Sequence, residues 1–399
     1  MGKKILAKIF LFIIIYGAFM LVIFSGDFNF GVNNNYYEKA PYLSIVTRNA
    51  SSAIGISFQT PKKCITTVFL GKNSSYLDLN ISDPVAVRIH HFNITSLKPD
   101  TEYHYKINSS ECNLYYMNKD YKFRTAPSSN KPVFSFNVVG DTRPDFFGYS
   151  AQRIIMKKMI ETNPNFILNI GDIVLAPNRE DHWQRFFDSI DINDYASTHP
   201  YMCSIGNHET IEYAPDYGHR FEYFMNYTHN DFYYAFNYSN TCFFALDINT
   251  ETYINRNGIS QAELDWLNET LFKANASKNI NWIIGYWHYP AYASAGKYKV
   301  VQEIIPLLER YKVDVVFNGH IHYYERLNVN GTHYIITGGG GAELEAMAYN
   351  THPNSAIIRS VYEFCHVEIN NTRLTIHAID QNGVIFDSLT LNQTNPWRL

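Results

Sequence analysis

The chain changes texture twice along its length. Behind Lys3, Lys4 and Lys8 runs an uncharged apolar stretch from Ile9 to Phe24, followed by a polar segment from Asp27 to Lys39. Between residues 40 and 126 the apolar positions fall in short alternating or β-rich runs: Leu43–Thr47, Ala53–Gln59, Thr66–Leu70, Val85–Ile94, Glu102–Asn108 and Tyr121–Thr125. Such runs, broken by turn residues, predict a small all-β sandwich. After Ala126-Pro127-Ser128-Ser129 the β-runs alternate with helical patterns at Gln152–Glu161, Ser260–Ala274 and Val300–Tyr311. That alternation predicts an α/β domain. Ser260 with Glu263 reads as a capping box at a helix start. The expected division is a signal anchor or signal peptide at 1–26, a linker at 27–39, the sandwich at 40–127, the α/β domain at 130–388 and a tail at 389–399.

The apolar run of sixteen residues is short for a membrane span and long for the core of a signal peptide. Both readings mean export, to the extracellular space or the cell surface, and the anchor reading makes the membrane a partner. Export permits disulfides among the five cysteines. Cys64 and Cys112 are expected to pair within the sandwich, while the pairing of Cys203, Cys242 and Cys365 stays open. None forms a Cys-x-x-Cys pair, which argues against a cysteine metal site.

Asparagine sharpens the picture. There are 40, and twelve sit in Asn-x-Ser/Thr sequons: Asn49, Asn73, Asn80, Asn93, Asn108, Asn226, Asn237, Asn268, Asn275, Asn330, Asn370 and Asn392. Chance pairing would give roughly five, so the excess predicts a glycosylated surface. No sequon lies between residues 109 and 225. The net charge of −4 argues against nucleic-acid binding, which needs clustered Lys and Arg.

Within the α/β region five apolar runs end in residues able to bind metal. These ends are Gly140-Asp141, Gly171-Asp172, Gly206-Asn207-His208-Glu209, Trp287-His288 and Gly319-His320-Ile321-His322. Ligands of open α/β sheets collect beyond the carboxyl ends of strands, so the five are expected to converge. Carboxylates, an amide oxygen and imidazoles together suit Fe, Zn or Mn.

The set and its order resemble the calcineurin-like metallophosphoesterases, and the purple acid phosphatase branch in particular. Gly319-His320-Ile321-His322-Tyr323-Tyr324-Glu325-Arg326 and the glycine run Thr337-Gly338-Gly339-Gly340-Gly341 carry the narrower likeness. So does the sandwich ending Phe123-Arg124-Thr125-Ala126-Pro127, in which Tyr103 beyond Pro99 resembles the tyrosine corner of fibronectin type III-like domains. The resemblance implies a four-layer α/β/β/α sandwich and two divalent metal ions. Asp172 would bridge them, with Asn207, His288 and His320 on one and Asp141 and His322 on the other. A metal-bound hydroxide would attack a small phosphorylated substrate, a phosphomonoester, with His208 at the phosphoryl oxygens or the leaving group. Arg143 is a candidate for the phosphate on guanidinium chemistry rather than on the resemblance, with a surface pair to Asp145 as the alternative. A phosphodiesterase or nucleotide pyrophosphatase on the same site is the alternative within the fold.

Two departures stand out. The family carries a Tyr three residues after the second Gly-Asp, where this chain has Leu175, and the wider superfamily has a His where Arg143 stands. The first predicts a colourless protein. Together they motivate a further alternative, a non-catalytic surface-binding protein with a degraded metal site. The oligomeric state is not set by the sequence.

Overall fold

The computed structural model describes residues 38–144, 150–210, 221, 224–227, 232–248, 259–296, 301–347 and 350–393. The expected signal segment, the linker up to residue 37 and the last six residues of the tail lie outside the described residues. Glu38–Leu399 is one compact unit. Among the described residues no helix is long and apolar enough to cross a membrane.

Seven strands build the N-terminal sandwich: β1 (Lys39–Ser44), β2 (Ile54–Cys64), β3 (Thr67–Gly71), β4 (Leu79–Ser82), β5 (Val87–Ile94), β6 (Glu102–Asn108) and β7 (Tyr121–Arg124). They form two sheets, ordered β1-β2-β5 and β4-β3-β6-β7, closed over Ile56, Phe58, Phe92, Tyr105 and Phe123. β4 escapes the sequence reading because it is only four residues long and mostly exposed. The Tyr103 hydroxyl accepts the Lys98 N–H at 3.0 Å, the upstream tie expected of a tyrosine corner. Cys64 and Cys112 form the disulfide; Cys203, Cys242 and Cys365 are buried and lie outside it.

The polar linker does not reach Lys39. That residue opens β1, fully buried, with its ammonium on Gln59 Oε1 (2.5 Å) and Glu180 Oε1 (2.6 Å). A buried ammonium is tolerable only when so partnered. The same strand seats the sandwich on the rest of the chain. The Tyr42 hydroxyl donates to Phe224 O (2.5 Å), and Tyr105 from β6 donates to Ser197 O (2.7 Å).

The α/β part has strands β8 (Val133–Val139), β9 (Phe166–Asn169), β10 (Tyr201–Cys203), β11 (Tyr234–Tyr238), β12 (Thr241–Ala245), β13 (Trp282–Tyr286), β14 (Val315–Asn318), β15 (Tyr324–Val329), β16 (Thr332–Thr337), β17 (Ser355–Arg359), β18 (Glu363–Asn370), β19 (Arg373–Asp380) and β20 (Ile385–Asn392). Its helices are α1 (Ser150–Glu161), α2 (Glu180–Ile190), α3 (Tyr195–Thr198), α4 (Gln261–Ala276) and α5 (Ile305–Arg310). One sheet runs β10-β9-β8-β18-β19-β20, the other β11-β12-β13-β14-β16-β15-β17. Phe136 of the first meets Phe243 of the second edge-on, ring centroids 5.1 Å apart, in the core between them. α1 lies on β18 and α4 on β13, giving the four α/β/β/α layers. The central strands are parallel and buried on both faces, which is why they read as continuous apolar runs.

Three local expectations shift. The Ser260 hydroxyl caps α4 by accepting the Glu263 N–H (3.2 Å), while Glu263 Oε1 takes the Asp247 N–H (2.8 Å). The third helix shortens to Ile305–Arg310, because Pro306 suits a first turn rather than an interior. The tail expected from 389 begins inside β20, which continues to Asn392. None of the twelve sequon asparagines is buried.

Candidate metal centre

The five strand ends meet. Sharp turns carry the chain from each strand into the site, and three candidate ligands occupy the left-handed region: Asp141 (φ 55°), Asp172 (φ 54°) and His320 (φ 69°). Such backbone costs about 1–3 kcal/mol per residue and persists where the surroundings fix it. Gly171 (φ 91°) has no alternative, since a Cβ there would come 2.8 Å from the Gly206 backbone. Close approach of these two turns brings Asp172 and Asn207 together.

His288 sets the polarity of the centre. Its Nδ1 lies 2.9 Å from Ile170 O, a carbonyl that can only accept, so Nδ1 carries a proton. Nε2 then faces Asn207 Oδ1 at 3.0 Å and Asp172 Oδ1 at 3.3 Å. His320 Nδ1 is also 3.0 Å from Asn207 Oδ1. Lone pairs turned on one another need a positive charge between them, either a second imidazole proton or a metal ion. Donors about 2.0–2.2 Å from a metal, at angles of 90–109°, sit about 3.0–3.5 Å apart, so these spacings fit one. Asp141, Asp172 and His288 offer ligand atoms all within 4.8 Å of one another.

The titration behaviour agrees. Burial pulls the His288 imidazolium down, yet Asp172 and Asp141 more than offset it, and its pKa is pushed up to about 9. Burial would raise Asp172, but His288, His208 and Arg143 hold it well below the usual carboxylate range. Burial, then His288, lowers His320 to about 4.

Asp141 and His322 form a sparser group. Asp141 Oδ2 accepts the His320 N–H (2.9 Å), but its buried Oδ1 makes no hydrogen bond, with His322 Nε2 3.5 Å away. His322 Nδ1 donates to Glu343 O (2.7 Å), leaving Nε2 toward Asp141. Arg143, 13% exposed, lies with Nε 3.6 Å from Asp172 Oδ2 and with no acceptor on that atom. His208 Nδ1 donates to Leu175 O (2.8 Å), and its Nε2 is 3.7 Å from Asp172 Oδ2. The half-buried Leu175 thus orients His208 through its backbone. All eight expected site residues are gathered at one end of the sheets.

Glu209 stood in the motif without an assigned role. Its buried carboxylate accepts four backbone N–H groups, from Asp172 (2.9 Å), Ile173 (2.8 Å), Val174 (3.1 Å) and Gly206 (2.8 Å). Burial and then Asp172 push its pKa up to about 7, but four donors favour the ionised form. It locks two ligand turns together. Glu363, fully buried on β18, was missed altogether.

Residues 134–324 match the calcineurin-like phosphoesterase family. The chain carries a calcineurin-like phosphoesterase domain. Purple acid phosphatase 15 of Arabidopsis thaliana is 30% identical to it over 301 residues, 63% of this chain and 53% of that protein. The Fe(3+)-Zn(2+) purple acid phosphatase 12 of the same plant is 28% identical over 265 residues, 60% of this chain and 52% of that one. The chain therefore spans about half the length of these curated relatives. The solved purple acid phosphatase PPD1 from yellow lupin (Lupinus luteus) seeds superposes with a TM-score of 0.74 at 21% identity, covering 90% of this chain and 75% of that one. The two Arabidopsis likenesses are to purple acid phosphatases, and the lupin likeness is one of fold.

Proposed function

We propose that the chain is an exported, metal-dependent phosphatase hydrolysing phosphomonoesters. The observation that carries this reading is the meeting of Asp172 Oδ1, Asn207 Oδ1 and His288 Nε2 at the strand ends, spaced as ligands around one positive charge. Asp172 would be shared by two ions, with Asn207, His288 and His320 completing one set and Asp141 and His322 the other. The donors suit Fe, Zn or Mn, and the name of the second Arabidopsis relative supports iron with zinc. A bound pair would supply positive charge at the phosphoryl oxygens and an acidified water. The remaining work falls to the chain's own side chains. Arg143 offers its planar guanidinium to the phosphate, neutralising charge that Asp172 alone would repel. His208, its Nδ1 proton held by Leu175 O, turns Nε2 to the site; as an imidazolium, a form that burial disfavours and acid pH restores, it would give the Nε2 proton to the leaving oxygen.

Turnover of p-nitrophenyl phosphate by the wild type and by Asp172→Asn tests this. A loss of about 1,000-fold or more is expected; equal rates would sink the enzyme reading. Bis(p-nitrophenyl) phosphate alongside separates a phosphodiesterase. Leu175 and Arg143 favour one other reading, a surface-binding protein that no longer turns over, and it predicts no hydrolysis by either form.

We also infer a glycosylated, extracellular or surface protein, anchored or secreted through residues 9–24. It would comprise a fibronectin type III-like sandwich at 39–127 and the catalytic domain at 130–392. Mass mapping with and without peptide-N-glycosidase checks the glycans.

A further inference from the structure

A glycine run cannot hold itself in place. Gly338–Gly341 has no side chains, and glycine loses more backbone freedom on ordering than any other residue. Yet this run packs directly under the Asp141 and His322 half of the centre. A Cβ on Gly338 would come 2.1 Å from Ile321 O and 3.0 Å from Asp141 Oδ2. Gly340 N–H donates to Gly140 O (3.0 Å), Ala342 N–H to Asp141 O (2.9 Å) and Glu345 N–H to His322 O (3.1 Å).

Glu363, the first residue of β18, grips the run from outside. Its Oε1 accepts the Gly339 N–H (3.2 Å), and its own N–H donates to Gly339 O (3.1 Å). Its Oε2 accepts the Thr337 hydroxyl (2.9 Å), and Thr337 O in turn accepts the Gly140 N–H (2.8 Å), one residue before Asp141. One fully buried carboxylate thereby fixes both the run and the turn that delivers Asp141.

We infer that Glu363 is a positioning residue for the Asp141–His322 half, deciding whether that half retains its ion. The inference rests on the two-metal reading above. The Asp172, Asn207, His288 and His320 half has supports of its own in Glu209 and Ile170 and meets the clamped turn only through backbone ties, the His320 N–H on Asp141 Oδ2 (2.9 Å) and the Asp141 N–H on Gly171 O (3.1 Å) among them.

The test is metal content and affinity per chain in the wild type, Glu363→Gln and Glu363→Ala, with thermal melts as the folding control. The wild type should carry two ions. Glu363→Gln should keep both, because an amide can still accept from Gly339 and donate to Thr337. Glu363→Ala should keep one ion at wild-type affinity and bind the other at least tenfold more weakly. Thr337→Val, which removes one arm of the clamp, should weaken the same ion to a lesser degree and serves if the alanine variant does not fold. Two ions at wild-type affinity in the folded alanine variant, or in Thr337→Val, would overturn the inference, as would loss of both ions together. A wild type without metal would overturn the metal-centre reading beneath it.

Discussion

In the half of the centre built on Asp172, ligands are pinned from behind: His288 by Ile170 O, Asp172 by Glu209 and by the His208 N–H. In the half built on Asp141, one carboxylate oxygen makes no hydrogen bond, and beneath it lies a glycine run gripped by Glu363. The resemblance would place a tyrosine and a histidine near that second half, where Leu175 and Arg143 stand. On the two-metal proposal, equal chemistry on paper would therefore become unequal affinity: ligand number and preorganisation, not residue type alone, set how tightly an ion is held.

The largest expected effect comes from the shared ligand. Asp172→Asn should strip both ions, whereas Asp141→Asn should strip one and leave the other; elemental analysis after dialysis reads the difference. Equal losses would erase the distinction between the halves. Next, Leu175→Tyr should add a ligand to the poorer half, tightening its ion about tenfold and giving ferric-loaded protein a visible absorption band that the wild type lacks. If the spectrum and affinity do not move, Leu175 does not face that half.

Proton counting probes the better half. With its pKa near 9, metal-free His288 is an imidazolium at pH 7, and ligation requires it neutral. Filling that half at pH 7 should release about one proton, measured by calorimetry in buffers of different ionisation enthalpy. The smallest effect is on stability without metal. The folded pKa of His288 is raised above its unfolded value of about 6.5, so its contribution is complete below that pH and is lost as pH rises through about 9. Melting temperature in chelator should fall across that window by a few degrees, and His288→Ala should remove this slope. A slope unchanged in His288→Ala would assign it to another group.

Much of this was legible in the sequence. Five strand-plus-ligand endings predicted the convergence, since parallel strands place their carboxyl ends together. The Tyr103 corner and the Cys64–Cys112 pair were readable from local spacing and compartment. What escaped were contacts between residues far apart in sequence. Glu209 sits inside a recognised motif, yet its four backbone partners come from two turns more than 30 residues apart. Glu363 lies on a strand with no motif, and only the fold brings it to Gly339. Exposed β4, Leu79-Asn80-Ile81-Ser82, alternates but is too short to stand out as a strand.

The most direct test of unequal halves is a chelator titration of the purified metal-loaded protein, following bound metal against chelator concentration. Two ions per chain leaving in two steps, the first from the Asp141–His322 half and absent in Asp141→Asn, is the predicted result. Two ions leaving in a single step, or no metal bound at the outset, would contradict it.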